Sequence, residues 1–330
     1  MDGTNSNFQA AYNDFLRRNK AVVAALTASY ISTFFGYPLD SLKSRLQTIK
    51  TPISVPRLAA LVYREEGVIG FYRGLWIPLM TISFVRAASF TIYARTKELF
   101  RDKHWLERDS FVDAGLVGCA GGAMSGALIS FGSAPFELVK VRRQLEYAIA
   151  ESKGVSLAKA PGTLDAVKEI FKTNGLTGLY TGFRLHFARD TLGTSLYFLE
   201  YDAMRHVLGR DRTGEQRLTP PWLPANLVPF LCGSLSGVSS WALIYPLDVV
   251  KTKVQQRALA GEAYRGPLET FTRLVRGTDP ANPKPLLAGM TRIYRGLGVS
   301  AIRSITTHGL LWTFFDYTSN YIDHLPRSER

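Results

Sequence analysis

Apolar residues come in long runs along this chain, and the polar residues that close them recur in a fixed pattern. The first run, AVVAALTASYISTFFGYPL at 21–39, is long enough to cross the roughly 30 Å apolar core of a bilayer as a helix. Runs at 114–136 and 227–247 match it. Each passes through a proline into charge: YPLDSLKSRLQ at 37–47, APFELVKVRRQ at 134–144 and YPLDVVKTKVQ at 245–255. All three read Pro, any, Asp/Glu, any two, Lys/Arg, any, Lys/Arg, any, Gln. Pro38, Pro135 and Pro246 stand 97 and 111 residues apart. That period is too long for a solenoid and implies three copies of a larger unit.

Other marks keep the same period. Small residues precede each proline by thirteen and nine positions: Ala25 and Ser29, Gly122 and Gly126, Gly233 and Gly237. Such spacing lets helices approach closely in lipid. Downstream stand FYRG at 71–74, LYTG at 179–182 and IYRG at 293–296, each opening a second apolar segment, roughly 74–99, 182–206 and 296–322. Between the two marks lie amphipathic stretches, PRLAALVYREEG at 56–67, TLDAVKEIFKTNG at 163–175 and PLETFTRLVRG at 267–277, which predict helices lying in a membrane interface. Each repeat therefore predicts a spanning helix, an interfacial helix and a spanning helix. Residues 150–162 and 278–290 read as extra loop on the interfacial side; the polar links 100–111 and 208–224 fall on the other side.

Composition fits that picture. The 330 residues are 46% hydrophobic and 12% aromatic, with mean hydropathy near zero, as expected of helices that each turn one polar face to a wet interior. The net charge of +13 suits an anionic lipid surface. No zinc spacing and no RNA-type aromatic motif accompany it, so no nucleic-acid partner is expected. Cys119 and Cys232 form no CxxC, which argues against a disulfide framework or a metal site, and no cofactor motif is present. The first twenty residues carry two Asp and lack both a secretory apolar core and the acid-poor character of a transit peptide, so any targeting signal is expected to be internal.

Charges inside spanning segments need partners. Asp40, Lys43 and Gln47 are spaced to share one helix face, as are Glu137, Lys140 and Gln144, and Asp248, Lys251 and Gln255. A threefold arrangement gathers three acids and three bases at one end of a bundle. They make either a static set of ion pairs or a reversible gate.

The three signatures, spread over nearly the whole chain, resemble the mitochondrial carrier family. The resemblance implies an all-α membrane protein: six transmembrane helices in a pseudo-threefold barrel, with three short matrix-side interfacial helices. It implies one carrier domain over 1–330, with repeats at roughly 18–104, 110–210 and 223–325. It also implies a monomer of the mitochondrial inner membrane, moving a small metabolite by alternating access, and no enzyme activity. Pro38, Pro135 and Pro246 would kink the odd-numbered helices. The family's matrix-gate pairing gives Asp40–Lys140, Glu137–Lys251 and Asp248–Lys43, braced by Gln47, Gln144 and Gln255. Its cytoplasmic gate maps onto Tyr93 and Lys97, onto Tyr201, Asp202 and Arg205, and onto Phe315 and Asp316. Ala94 replaces an acid there and Ser319 a base, so the family's pairing leaves Asp316–Lys97 as the complete pair. The cytoplasmic gate is then expected to open more readily than the matrix gate.

Cardiolipin is the lipid partner that the resemblance implies, at Gly70, Tyr72, Arg73 and Gly74, at Gly178, Tyr180 and Gly182, and at Tyr294, Arg295 and Gly296. Simple helix capping is the alternative use of these residues. The family's central contact positions, seven residues past each Gly, fall on Thr81, Arg189 and Arg303; Asp190 follows Arg189, and Arg86 and His308 lie five positions further on. Snorkelling to headgroups is the alternative for the arginines, and plain helix packing for His308. An Arg-Asp pair resembles carriers for amino acids and for carnitine and its esters. The excess of arginine keeps a di- or tricarboxylate as an alternative, and a non-transporting scaffold is a further one.

Overall fold

The computed structural model describes residues 2–48, 55–72, 75–106, 110–152, 163–211, 216, 219–277, 283, 285–294 and 297–326. The described residues form helices α1 (Asp2–Arg18), α2 (Lys20–Thr48), α3 (Val55–Glu66), α4 (Trp76–Asp102), α5 (Phe111–Ser152), α6 (Thr163–Gly178), α7 (Phe183–Val207), α8 (Val228–Ala260), α9 (Pro267–Arg276), α10 (Leu286–Ile293) and α11 (Leu297–Asp323). Short 3-10 turns fall at Val68–Tyr72 and Ala225–Leu227.

Three segments among the described residues are both long and apolar enough to cross a membrane: Lys20–Leu42, Phe111–Val139 and Ala225–Ala260. They carry the three prolines, and helix continues through each one. Helices α4, α7 and α11 are 27, 25 and 27 residues long. At 1.5 Å per residue each exceeds about 37 Å, enough to span. Their apolarity is lowered by Arg86, Lys97, Arg189, Asp190, Asp202, Arg205, Arg303 and Asp316, the residues with proposed roles.

The interfacial helices stop the same way. α3, the main turn of α6 and α9 end at Gly67, Gly175 and Gly277, with φ of 65°, 63° and 92°. Glycine populates that region without the Cβ clash that other residues meet. Two loop expectations need correction. Residues 150–152 continue α5, and residues 286–290 open α10, which packs on α9 through Gly289 against the Val275 backbone. α1 had no counterpart in the sequence reading, because its first twenty residues have no apolar run.

The chain divides into two compact units. The larger comprises Met1–Ser125, Leu196–Ser239 and Gly298–Arg330. Its core is aromatic: Tyr201 stacks on Trp312 at 3.5 Å, Tyr93 on Phe198 at 3.9 Å, and Phe90 meets Trp312 at 4.8 Å. Small residues make room for this packing. A Cβ on Gly233 would lie 2.6 Å from the His308 carbonyl oxygen, and one on Gly118 2.5 Å from that of Phe198. Ala25 and Ser29 are fully buried.

The smaller unit comprises Gly126–Ser195 and Ser240–Leu297. It shows why the prolines are tolerated. A proline leaves the carbonyl four residues earlier without its helical N–H. For Pro135 that carbonyl belongs to Phe131, and for Pro246 to Ala242. The Tyr180 hydroxyl donates to Phe131 O at 3.2 Å, and the Tyr294 hydroxyl donates to Ala242 O at 3.1 Å. In the larger unit the Tyr72 ring stacks at 4.9 Å on Phe34, four residues before Pro38. The proline mark and the tyrosine mark of a repeat thus serve one another. Tyr180→Phe and Tyr294→Phe should each leave a carbonyl unsatisfied, at about 1–3 kcal/mol. The expected result is a thermal unfolding midpoint in detergent a few degrees lower for each; an unchanged midpoint would refute this role.

Candidate functional site

In the smaller unit, α7 carries His186, Arg189 and Asp190 within about one turn. Arg189 lies between two carboxylates. Its Nη1 is 2.5 Å from Asp190 Oδ1, and its Nε is 3.0 Å from Asp248 Oδ1 on α8. Trp241 of α8 lies under its guanidinium, 5.1 Å from the ring centroid, a cation–π distance. His186 Nε2 is 3.3 Å from Asp190 Oδ2 and 3.0 Å from the Ser133 hydroxyl. Beside this group, Lys251 Nζ donates to Glu137 Oε1 at 2.8 Å, with Lys251 only 1% exposed. This is the expected Glu137–Lys251 pair.

The larger unit holds the other expected contact residues. Arg303 Nη1 donates to Asp40 Oδ1 at 3.1 Å. Arg86 donates to the hydroxyls of Ser32 and Thr33 at 3.2 and 3.4 Å. His308 bonds Ser304 and packs on Tyr197 at 5.0 Å, as a packed helix histidine does. Thr81 is exposed.

Asp40 and Asp248 meet Arg303 and Arg189, the arginines of the contact positions; the expected pairs Asp40–Lys140 and Asp248–Lys43 involve lysine side chains outside the described residues. The side chains of Lys43, Gln47, Lys140 and Gln144 lie outside the described residues. The excess of arginine expected from the sequence is offset within each unit: in the smaller one Arg189 faces both Asp190 and Asp248, and in the larger one Arg303 faces Asp40. Gln255 also departs from its expected brace across the ion pair: its amide donates to Thr181 O at 3.4 Å, against Gly182.

The larger unit also contains the second gate, with its pairing reversed. Lys97 Nζ donates to both Asp202 oxygens at 2.9 Å, and Tyr93 OH donates to Asp202 Oδ2 at 2.7 Å. Arg205 donates to Asp316 Oδ2 at 2.5 Å and to Tyr201 OH at 2.9 Å. Asp316 therefore meets Arg205, not Lys97. Aromatic packing sets this order. Tyr93 on Phe198 carries Lys97 to Asp202, and Tyr201 on Trp312 carries Arg205 to Asp316. Each acid takes the base of the preceding repeat, so Ala94 and Ser319 are the two halves of one missing pair. The gate has two complete pairs, and the expected weakness shrinks to a single gap. Nearby, burial works against the charge on Arg210, but Asp316 and other neighbours outweigh it, so its pKa stands above the ordinary arginine value.

The cardiolipin expectation rests partly on residues outside those described: Arg73, Gly74, Arg295 and Gly296. Of the rest, Tyr180 and Tyr294 make the carbonyl contacts given above, and Gly70 and Gly178 lie in the turns after α3 and at the end of α6. The sequence reading missed His186, Trp241 and Glu200. Glu200 accepts a hydrogen bond from Ser239 and lies eleven residues, about three turns, from Arg189 on the same face of α7. That spacing was the available signal. Arg142, the second base of its motif, donates to Glu169 at 3.0 Å and so ties α6 to α5.

Long helices with paired intramembrane charges define a polytopic membrane transporter. The chain matches the family model described as mitochondrial carrier protein over residues 18–104, 114–212 and 224–325. It belongs to the mitochondrial carrier family, and is a multi-pass solute transporter of the mitochondrial inner membrane. It is similar to the mitochondrial arginine transporter of Arabidopsis thaliana, with 32% identity over 284 residues, 85% of this chain and 84% of that one. It is similar to mitochondrial ornithine transporter 1 of Schizosaccharomyces pombe, 29% identical over 303 residues and 89% of each chain. It is also similar to human solute carrier family 25 member 45, 26% identical over 299 residues, 89% of this chain and 96% of the relative.

Proposed function

We propose that the chain carries a basic amino acid across the inner membrane, in exchange for a second solute. The observation that carries this is Arg189 between Asp190 and Asp248. Among the described residues, that contact cluster is one cation short, which suits a substrate bringing its own positive group. The printed names of two relatives, an arginine and an ornithine transporter, support the same class. The substrate's cationic group binds Asp190 beside Arg189 and Asp248, and Arg303, the contact residue of the third repeat, offers the guanidinium that suits a carboxylate.

Binding then acts on the gate directly. A carboxylate on Arg303 competes with Asp40, and a cation at Asp190 loosens the hold of Arg189 on Asp248. Repeat one has Thr81 at the matching position, with no charge to exchange, and Glu137 stays with Lys251. Substrate shifts the population by this difference in pairing between states. The matrix gate comprises Asp40, Lys43, Gln47, Glu137, Lys140, Gln144, Asp248, Lys251 and Gln255, on helices bent at Pro38, Pro135 and Pro246. The cytoplasmic gate comprises Tyr93, Lys97, Tyr201, Asp202, Arg205, Phe315 and Asp316. The three repeats work as one monomeric carrier domain, with cardiolipin at the glycine-tyrosine turns.

The test is reconstitution into liposomes with labelled arginine, lysine, ornithine, carnitine, neutral amino acids and carboxylates. Saturable exchange of the basic amino acids is expected. Transport of di- or tricarboxylates with none of the basic amino acids would overturn the proposal, and no exchange of any solute would favour a scaffold.

A further inference from the structure

Arg189 is gripped as a bound guanidinium would be. One nitrogen faces each of two carboxylates, Nη1 at 2.5 Å from Asp190 and Nε at 3.0 Å from Asp248, and the centroid of the Trp241 ring lies 5.1 Å from its central carbon. The aromatic wall is propped from behind: Tyr245 meets Trp241 edge-on at 6.2 Å and stacks on Tyr294 at 5.7 Å. All of these residues belong to the smaller unit. Two acids and an indole face make a receptor for a flat cation, because a guanidinium stacks on an aromatic ring while its edges donate to carboxylates.

Arg189 does not fill that receptor well. A guanidinium pairs best with a carboxylate through two parallel bonds, and Arg189 brings one nitrogen to each acid. Its buried Nε, though 3.0 Å from Asp248, makes no aligned hydrogen bond among the described residues. The indole N–H of Trp241 is also buried without an acceptor among them. The tether explains the poor fit. Arg189 and Asp190 are successive residues of one helix and project about 100° apart, so the fork cannot square onto the carboxylate.

We propose that Asp190, Asp248 and Trp241 form the receptor for a substrate guanidinium, and that Arg189 is a tethered stand-in that occupies it between substrates. A free guanidinium carries no tether and can meet Asp190 through two bonds. One cation replaces another, so neither acid is left unpaired in low dielectric, which would cost far more than the exchange. Trp241 then sets specificity within the basic amino acids. The flat guanidinium of arginine stacks on the indole, whereas the ammonium of lysine or ornithine is compact and strongly hydrated. The binding claim stands on the receptor alone; its consequence for transport rests on the reading of the chain as a basic amino acid carrier.

Arg189→Ala empties the receptor, and methylguanidinium is the probe, added to full-length protein in detergent. The unfolding midpoint of the variant should rise saturably with methylguanidinium, and much less with methylammonium at equal ionic strength. Wild type, whose receptor is filled, should need about tenfold more probe or beyond for the same rise, and so should Arg189→Ala with Trp241→Leu. No response in Arg189→Ala, or an equal response in wild type, overturns the receptor. Should Arg189→Ala not fold, Trp241→Leu alone carries the test. In liposomes its KM for arginine should rise about tenfold and that for ornithine less than about threefold, with the maximal rate held. Equal losses for both substrates assign Trp241 to packing and overturn the specificity. A midpoint response in a protein that moves no basic amino acid refutes the transport reading and leaves the receptor standing.

Discussion

Asp190→Asn lowers uptake of labelled arginine or ornithine by about 30-fold or more. The substitution keeps the shape of the side chain and removes its charge. Arg189 retains Asp248 at 3.0 Å, so the fold keeps its main constraint. What is lost is the carboxylate offered to the substrate's cation. Truncating one member of a desolvated charge pair costs about 2–5 kcal/mol, which is roughly 30-fold to several-thousand-fold in affinity. The effect should appear as a fall in uptake, with an unfolding midpoint close to wild type. The carboxylate reading forecasts the opposite sign, since removing an acid favours an anionic substrate. Undiminished uptake of basic amino acids by the variant would exclude Asp190 from the site.

Breaking the Lys97–Asp202 pair is the second large effect. Asp202 is 4% exposed and accepts from Lys97 and from Tyr93. Asp202→Ala leaves a lysine in low dielectric with its principal partner gone, at about 3–5 kcal/mol. The expected result is a clearly lower unfolding midpoint, together with labelling of a cysteine introduced at Ala94 from the cytoplasmic side. The swap Lys97→Asp with Asp202→Lys should recover much of both. The pairing read from sequence makes Lys97 the partner of Asp316, and then the swap would rescue nothing. Asp316→Ala should likewise release Arg205, which the sequence-based pairing treated as partnerless. Total loss of coupling in that variant fits a gate of two strong pairs better than a weak one.

Much of the site was legible because it repeats. Three copies of one phrase make Asp40, Glu137 and Asp248 stand out without any alignment, and the offset from each glycine reaches Arg189 and Arg303. His186 and Trp241 escaped because neither recurs in the other repeats. The tyrosines were visible as a mark but their use was not. A hydroxyl donating to the carbonyl freed by a proline joins residues about fifty positions apart, and periodicity cannot express that contact.

By itself the sequence determined the class of protein, the six long helices with three interfacial ones, and the residues that must find partners. These follow from local facts: run length, helical spacing and the cost of charge in an apolar medium. Only the tertiary structure decided who meets whom. An acid on a helix can turn to either neighbour at little local cost, and the stacking of Tyr93 on Phe198 and Tyr201 on Trp312 settles the direction. Reach decides the rest, since a contact-site arginine is long enough to hold a gate acid. For the same reason, the uncharged Ala94 and Ser319, which look like two separate losses along the chain, are the two halves of one absent pair.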